Sequence, residues 1–464
     1  MSKLTKVKAN LYIKKIYTGI KLKLSALGNY YLKFEQELKK YIIRFLLILL
    51  AFGIVYNLYI DLSTDTYMVN SFKVQDDIQK TGMSGDVFAS EIIEKATELK
   101  AIGNSIKEDN LNFTETATIP EIQIQGISLQ AVLSYIKLVF GVQQKSISGR
   151  VVMVGNTLRL TLIISGQPVF SVKRMIKDKI TDEDIRFVIE KAAEQLLRFT
   201  DPYLLACYFE SIGANENAIN TLRYSLQNDP DNRVWAYNLW GNISMKNGEY
   251  DDAINKYQKA ISLDSQFSKA FYGIGNCLGY QSKFDEAYQQ FRKAELIDPD
   301  DVNLWNSWGF VLSEQQQFDK AIEMFNKALA LQPDNVYALY TLASIYSDLQ
   351  KNEDALKIYH LLTEVNPTNI NGWIGLGYCY QVKKEYENSI KTLEKALEVD
   401  SLNNIAYGTL AETYGLMNKT DKFYQNLDSS LKYGYEPYVY FEEEPYKSFS
   451  GTKSFAEIIK KYKK

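Results

Sequence analysis

Apolar and polar positions along the middle of the chain, residues 67–200, follow two different periods. A period of two, typical of strands, marks the segments MVNSFKVQ, IPEIQIQG, QKSISGRVVMV, TLRLTLIIS and PVFSVKR. Helical spacing marks SGDVFASEIIEKATELKAI, SLQAVLSYIKLVFG and TDEDIRFVIEKAAEQLLRFT, the last with Thr181 as its N-cap. Gly155-Asn156 and Gly166-Gln167 separate three of the strands as hairpin turns do. The pattern predicts a small α+β module of helices and an antiparallel sheet.

From Tyr203 onward the chain repeats a helical pattern with a period of 34 residues, or 35 for the first interval. A small residue recurs at this spacing: Ala218, Ala253, Ala287, Ala321, Ala355 and Ser389. Four positions after each of them lies a bulky apolar residue: Leu222, Tyr257, Phe291, Phe325, Tyr359 and Leu393. Upstream lie the pairs Trp240-Gly241, Ile274-Gly275, Trp308-Gly309, Leu342-Ala343 and Leu376-Gly377. A fixed period of this length indicates one structural unit that is repeated along the chain.

The repetition resembles the tetratricopeptide repeat family, and it covers six units from about residue 199 to 403. The resemblance implies two antiparallel helices in each unit, with small residues where the helices touch and a ring in the groove beside them. A seventh unit, 404–437, is degenerate because Phe423 stands where a small residue belongs. We assign residues 201–437 to an α-solenoid and 438–464 to a capping segment with an amphipathic closing helix. The chain as a whole is predicted to be mainly α.

In such a solenoid the first helix of each unit lines the concave side. The inward positions define a candidate peptide-binding groove: Trp235, Asn238, Asn242, Tyr272, Asn276, Tyr280, Asn303, Asn306, Phe310, Tyr337, Tyr340 and Tyr378. Because an asparagine side chain both donates and accepts hydrogen bonds, a row of them can hold an extended backbone of any sequence. The alternative is that Asn and Tyr are simply common in this chain. Some relatives grip a carboxylate with basic residues, and the asparagines at 238, 303 and 306 argue against that mode.

The most apolar stretch of the chain is YIIRFLLILLAFGIVYNLYI, from Tyr41 to Ile60, which is long enough to cross a membrane as a helix. Residues 1–44 carry eleven Lys or Arg and two Glu, so the positive-inside rule predicts a cytoplasmic N-terminus. The segment lies too far from the start for a cleaved signal peptide, and we predict a retained signal anchor. The basic arm, residues 1–40, either lies on the anionic inner leaflet or forms a solvated tail.

Composition and motifs limit the chemistry of the chain. It has 464 residues with 53 basic and 56 acidic side chains, and this near-neutral balance gives no reason to expect nucleic-acid binding. The cysteines Cys207, Cys277 and Cys379 are far apart and are predicted to be buried free thiols. His360 is the only histidine, and no nucleophile, zinc or nucleotide motif is present. We therefore predict a protein that is not an enzyme, with no cofactor and no metal site.

The whole sequence resembles bacterial inner-membrane proteins with one N-terminal anchor, an extracytoplasmic body and C-terminal tetratricopeptide repeats. The resemblance implies a protein–protein interaction scaffold that binds protein or peptide segments on the periplasmic side, in secretion or envelope assembly. Two alternatives stay open. One is a eukaryotic organelle-membrane receptor or adaptor, for which the sequons at Asn112, Asn242 and Asn418 would be glycosylation sites. The other is an enzyme whose active domain is the 67–200 module.

Overall fold

The computed structural model describes residues 65–80, 82–103, 111–115, 123–124, 127–128, 145–434 and 443–462. The predicted anchor at 41–60, the basic arm and the predicted helix after residue 128 lie outside them. Within the described ranges no helix is both long and apolar enough to span a membrane. The chain forms two compact units, residues 1–221 and 222–464, which divide between Thr221 and Leu222. We call them the N-terminal unit and the C-terminal unit.

The N-terminal unit contains a mixed sheet. Its strands are β1 Asp65–Val69, β2 Lys73–Val74, β3 Leu111–Glu115, β6 Lys145–Val154, β7 Thr157–Ile164 and β8 Gln167–Met175; β4 Gln123–Ile124 and β5 Ile127–Ser128 form a separate pair. The order is β3-β1-β6-β7-β8, with β2 also on β6. Only the β6–β7–β8 part is antiparallel, so the prediction of an antiparallel sheet is wrong for β1, β2 and β3. A helix follows β1 in sequence, and a strand–helix–strand connection places its two strands parallel.

Two tight turns join the antiparallel strands. The first has Gly155 at φ 57° followed by Asn156, as the sequence predicted. The second lies one residue earlier than predicted, at Ser165 (φ 49°) and Gly166 (φ 81°). Positive φ at both central residues matches the twist of the flanking strands, which makes this the favoured register for a two-residue hairpin.

The helices of the N-terminal unit are α1 Asp76–Gln79, α2 Gly85–Gly103, α3 Asp182–Thr200 and α4 Pro202–Ser211. Helices α2, α3 and α4 pack together, and α3 also contacts β7 and β8. The predicted cap of α3 is confirmed: Thr181 Oγ1 accepts from the Asp184 N–H at 3.3 Å, and the Asp184 carboxylate accepts from the Thr181 N–H at 3.2 Å. Arg174 of β8 donates to the same carboxylate at 2.8 Å and lowers the pKa of Asp184. The cap therefore also joins the helix to the sheet.

Helix α5 Asn215–Asn228 contains the division between the two compact units. The C-terminal unit then alternates two kinds of helix. The first helices are α6 Arg233–Lys246, α8 Ser268–Tyr280, α10 Val302–Glu314, α12 Val336–Asp348, α14 Ile370–Val382 and α16 Asn404–Leu416. The second helices are α7 Tyr250–Leu263, α9 Phe284–Ile297, α11 Phe318–Leu331, α13 Asn352–Val365, α15 Tyr386–Val399 and α17 Thr420–Lys432. Each first helix packs on the second helix that follows it, and most second helices also contact the next first helix.

The small and large residues of each repeat meet as their spacing predicts. A Cβ added at Gly241 would lie 2.6 Å from the Tyr257 ring, and one at Gly309 would lie 2.9 Å from the Phe325 ring. The same arrangement joins Gly275 to Phe291 and Gly377 to Leu393. Real Cβ contacts are not this short, so these positions are small because a fully buried side chain occupies the space.

The C-terminal end of the solenoid closes on an aromatic cluster. Phe423, at the position where the other repeats have a small residue, is fully buried and stacks on Phe449 with ring centroids 4.1 Å apart. The predicted single closing helix is instead two helices, α18 Tyr446–Ser450 and α19 Lys453–Tyr462. The break lies at Gly451 and Thr452, and Thr452 Oγ1 accepts from the Phe455 N–H at 3.3 Å as the cap of α19.

Candidate functional site

The first helices of the C-terminal unit form one continuous face. Direct contacts join α6 to α8, α8 to α10, α10 to α12, α12 to α14 and α14 to α16. Two clefts open on this face, which we call the groove. Cleft A, about 320 Å³, is lined by Met245, Asn276, Tyr280, Asn303, Asn306, Ser307, Phe310, Asn335 and Tyr337. Cleft B, about 400 Å³, is lined by Tyr340, Ser347, Asp348, Tyr359, Asn371, Ile374, Gly375, Tyr378, Ile405 and Thr409.

The two clefts occupy equivalent places in the repeat. Asn303 and Phe310 in cleft A correspond to Asn371 and Tyr378 in cleft B, which lie 68 residues, or two periods, further on. Cleft B has Ile374 where cleft A has Asn306. The groove therefore offers the same kind of pocket at two places that are two repeats apart, which suits an extended segment more than a compact ligand.

The structure divides the twelve predicted groove residues into three sets. Cleft A brings together six of them: Asn276, Tyr280, Asn303, Asn306, Phe310 and Tyr337. Cleft B includes two others, Tyr340 and Tyr378. Trp235, Asn238, Asn242 and Tyr272 line neither cleft.

Three residues of the last set contact neighbouring helices. Asn242 Oδ1 accepts a hydrogen bond of 2.7 Å from the Tyr257 hydroxyl. Trp235 packs edge-on against Phe267, with ring centroids 5.0 Å apart. Burial raises the pKa of Tyr272, and the nearby Asp301 carboxylate, which pairs with Lys269 at 2.8 Å, adds to the rise. The contact of Asn242 joins the two helices of one repeat, and those of Trp235 and Tyr272 reach the next repeat.

Asn306 carries a buried hydrogen-bond acceptor that no described residue satisfies. Its Nδ2 donates to Asn335 Oδ1 at 3.2 Å, and the same oxygen accepts from the Ala338 N–H at 2.9 Å as the N-cap of α12. Because the cap fixes Asn335 Oδ1 as an acceptor, the nitrogen of Asn306 must face it. Asn306 Oδ1 is therefore left as an acceptor in a side chain that is only 8% exposed. Such an oxygen costs roughly 1–3 kcal/mol when it stays unpaired.

Asn276 of α8, one repeat earlier, has a similar arrangement. Its Nδ2 donates to Ser307 Oγ at 3.1 Å, while its buried Oδ1 has no donor among the described residues. Both asparagines line cleft A. The cleft therefore presents two buried acceptors to a ligand that brings N–H groups.

Aromatic side chains form the open side of cleft A. Tyr280 is 50% exposed and stacks on Tyr250, with ring centroids 5.2 Å apart and planes at 10°. It also contacts the Phe310 ring at 5.6 Å. Burial raises the pKa of both Tyr280 and Tyr337, and the carboxylate of Glu314 adds to the rise in each. A carboxylate therefore lies near the two exposed rings.

Asn335 and Ser307 are functional candidates that the sequence reasoning missed. Both line cleft A and hold the asparagine amides in place. The signal for Asn335 was available, because Asp301, Asn369 and Asn403 cap first helices at the same point of the repeat. What the repeat does not show is that two of these caps, Asp301 and Asn335, also receive a side chain from the preceding repeat, from Lys269 and Asn306 respectively.

The cysteines and the histidine lie apart from this chemistry. Cys207, Cys277 and Cys379 are buried thiols that form no disulfide with one another, as predicted, and burial raises the pKa of Cys277 to about 12. His360 is exposed, with its Nε2 2.8 Å from the Tyr380 hydroxyl. In the part of the chain that the structure describes, no three His, Cys, Asp or Glu side chains are grouped to hold a metal ion.

Three family models match segments of the C-terminal unit, and each describes a tetratricopeptide repeat. They cover residues 241–281, 312–373 and 370–401. The C-terminal unit contains tetratricopeptide repeats. The matched segments include α8, α12 and α14, which contribute residues to the two clefts.

Solved structures with similar repeats are distant in sequence. YrrB, described as a tetratricopeptide repeat protein with an unusual peptide-binding site, is 22% identical over 43% of this chain and 97% of its own, with a TM-score of 0.32. Pseudomonas aeruginosa PilF is 14% identical over 50% of this chain and 98% of its own, with a TM-score of 0.39. A tetratricopeptide repeat protein from Parabacteroides merdae is 14% identical over 53% and 96%, with a TM-score of 0.38. No curated protein matches the sequence.

Proposed function

We propose that this tetratricopeptide repeat protein is an interaction scaffold whose groove binds extended segments of other proteins. The observation that carries the proposal is the buried, unsatisfied Oδ1 of Asn306 in a cleft walled by exposed aromatic rings. An extended backbone presents free N–H groups, which this oxygen and that of Asn276 accept. The rings of Tyr280 and Tyr337 then cover the apolar parts of the segment at little entropic cost.

A display screen of random 12-residue peptides against the full-length protein tests this proposal. We expect enriched peptides to bind the Tyr280→Ala variant about tenfold more weakly, because a half-exposed ring at a binding site is worth roughly 1–2 kcal/mol. Fluorescence anisotropy of labelled peptides measures the change. Tyr380→Ala is the matched control, since that ring packs beside His360 of α13 and lines neither cleft. Enriched peptides that bind both variants equally well would place the binding site elsewhere.

We propose that the N-terminal unit binds a partner or acts as a spacer in the same scaffold. A cleft of about 380 Å³ there is lined by Asn70, Ser71, Asp86, Ser90 and apolar neighbours. It holds one carboxylate and neither a histidine nor a cysteine, so it lacks a pair of groups for acid–base or nucleophilic chemistry. We therefore propose no catalytic activity for the 67–200 module.

We further propose that residues 41–60 anchor the protein in a bacterial inner membrane with the groove on the periplasmic side. The eleven basic residues of 1–44 and the apolar run support this topology. A reporter that is active only in the cytoplasm should be silent when fused after Lys464 and active when fused after Lys40. Activity at both positions would contradict the topology, and a glycan on the sequon at Asn242 would favour a eukaryotic secretory protein instead.

A further inference from the structure

Basic residues are absent from the first helices in the second half of the solenoid. The first helices α10, α12, α14 and α16 contain no lysine or arginine, and their acidic residues are Glu314, Asp348 and Glu412. The second helices that follow them carry both signs, with ten acidic residues and seven lysines: Lys320, Lys327, Lys357, Lys391, Lys395, Lys422 and Lys432. The first helices of this half therefore carry only negative side-chain charge, although the chain as a whole is nearly neutral.

Two of these three carboxylates line a cleft, and the third lies beside one. Glu314 is four positions after Phe310 on α10, so it shares the helix face that Phe310 presents to cleft A. Asp348 lines cleft B. Glu412 lines a third cleft of about 560 Å³, cleft C, which shares Tyr378 with cleft B and also includes Glu443 and Glu444. The groove thus carries negative charge along its length from α10 to the C-terminal cap.

Two basic residues of the groove helices and turns, Lys269 and Lys384, do not neutralise these carboxylates. Glu314 and Asp348 are exposed and form no ion pair within the described part of the chain. Lys269 of α8 is already paired with Asp301 at 2.8 Å. Lys384, in the turn after α14, is the basic residue that lines cleft C, where three carboxylates oppose it. Glu412 receives hydrogen bonds from the neutral Tyr446 and Gln381 side chains.

We infer that the groove selects basic extended segments, with lysine or arginine side chains seated in the aromatic clefts. This inference rests on the proposed function and names the chemical class of its partner. A cation in cleft A lies against the faces of Tyr280 and Phe310, which attract it through their ring quadrupoles. The nearby Glu314 carboxylate attracts the same cation. Its backbone N–H groups pair with the acceptors on Asn276 and Asn306. An acidic segment, or a free C-terminal carboxylate, meets repulsion from the same carboxylates.

Binding of defined probes to the full-length protein tests the inference. The first probe is a fluorescein-labelled 12-residue peptide with four lysines on an alanine and serine background. Two further probes carry glutamine or glutamate in place of the lysines. We expect the lysine probe to bind at least tenfold more tightly than the glutamine probe, and the glutamate probe to bind more weakly still. The preference should shrink as salt is raised, because these charges are exposed to solvent.

A charge-removed variant separates the carboxylates from the rest of the groove. Glu314→Gln, Asp348→Asn and Glu412→Gln together should lower the affinity for the lysine probe about tenfold and leave the affinity for the glutamine probe unchanged. The matched control is Glu286→Gln with Glu364→Gln, which removes exposed carboxylates from the second helices α9 and α13. This control should bind all three probes like the wild-type protein.

The outcomes distinguish this inference from the proposed function. If Tyr280→Ala weakens the lysine and glutamine probes alike while the charge-removed variant changes neither, the groove binds peptides but does not select basic ones, and the inference is wrong. If Tyr280→Ala changes the binding of no probe and of no peptide from the display screen, the proposed function itself fails. A peptide of residues 1–44 that binds more than tenfold more tightly than the lysine probe would make the basic arm, rather than a separate partner, the occupant.

Discussion

Replacing Tyr257 by alanine is expected to lower the free energy of unfolding of the C-terminal unit by about 4 kcal/mol. The Tyr257 ring is fully buried between two glycines of successive first helices, Gly241 of α6 and Gly273 of α8. A Cβ on these glycines would lie 2.6 and 2.7 Å from the ring. Neither glycine has a side chain that can move into the space, so the cavity left by the ring stays open.

Two further variants test separately the hydroxyl group of Tyr257 and the burial of its ring. Tyr257→Phe keeps the ring and removes only the hydrogen bond to Asn242, so it should cost about 1 kcal/mol. Tyr340→Ala makes the same chemical change at a ring that is 37% exposed, and it should cost under about 1 kcal/mol. Urea denaturation followed by circular dichroism gives the three values. Because repeats unfold locally, hydrogen exchange should show the loss of protection around α6, α7 and α8. An equal loss at positions 257 and 340 would contradict this account of the packing.

The solenoid was predictable because its information is local and repeated. The contact between Gly309 and the Phe325 ring is determined by residues 16 positions apart, and the same pair of positions recurs in neighbouring repeats. The cap of α3 at Thr181 is likewise determined by residues within four positions of the chain. Capping chemistry acts within one helical turn, and the repeat shows the same residue types every 34 positions, so a single sequence is enough to reveal both.

The parts that were not predicted depend on residues that are distant in the chain. The parallel pairing of β1 with β3 joins segments more than 40 residues apart, and nothing in the alternation of either strand states its partner or direction. The contact of Asn306 with Asn335 joins two repeats and depends on how closely α10 approaches α12. Of the inward positions read from the period, Trp235 and Asn242 instead pack against neighbouring helices. Period alone gives the face of a helix but not the depth of a side chain within it.

The second large effect is expected in binding, from replacing Asn276 and Asn306 together by leucine. Leucine has the same number of side-chain heavy atoms as asparagine and branches at the same carbon, but it is larger and neither donates nor accepts a hydrogen bond. We expect peptides that bind the groove to lose about 100-fold in affinity, because two buried acceptors that pair with backbone N–H groups disappear, at roughly 1.4 kcal/mol each. Anisotropy titrations with the peptides of the display screen measure this loss.

The unbound double variant is expected to be at least as stable as the wild-type protein, although it binds peptides more weakly. In the free protein Asn306 Oδ1 is buried without a donor, and leucine removes that cost. The substitution also removes the Asn306 donation to Asn335, but Asn335 keeps the Ala338 N–H and still caps α12. The free energy of unfolding should therefore stay the same or rise by about 1 kcal/mol. Loss of binding without loss of stability would identify the asparagines as binding residues rather than structural ones.

Asn238→Leu is the matched control for this pair. Asn238 is also buried, at 6% exposure, and its Oδ1 also has no donor among the described residues, but it lines neither cleft A nor cleft B. The Asn238→Leu substitution should raise or preserve the free energy of unfolding in the same way and leave the affinity for peptides unchanged. If it weakens binding as much as Asn306→Leu does, the bound segment also reaches α6. If the Asn276 and Asn306 variant binds peptides like the wild-type protein, their buried oxygens do not receive the backbone, because an acceptor that pairs with a ligand N–H cannot be removed without a cost in affinity.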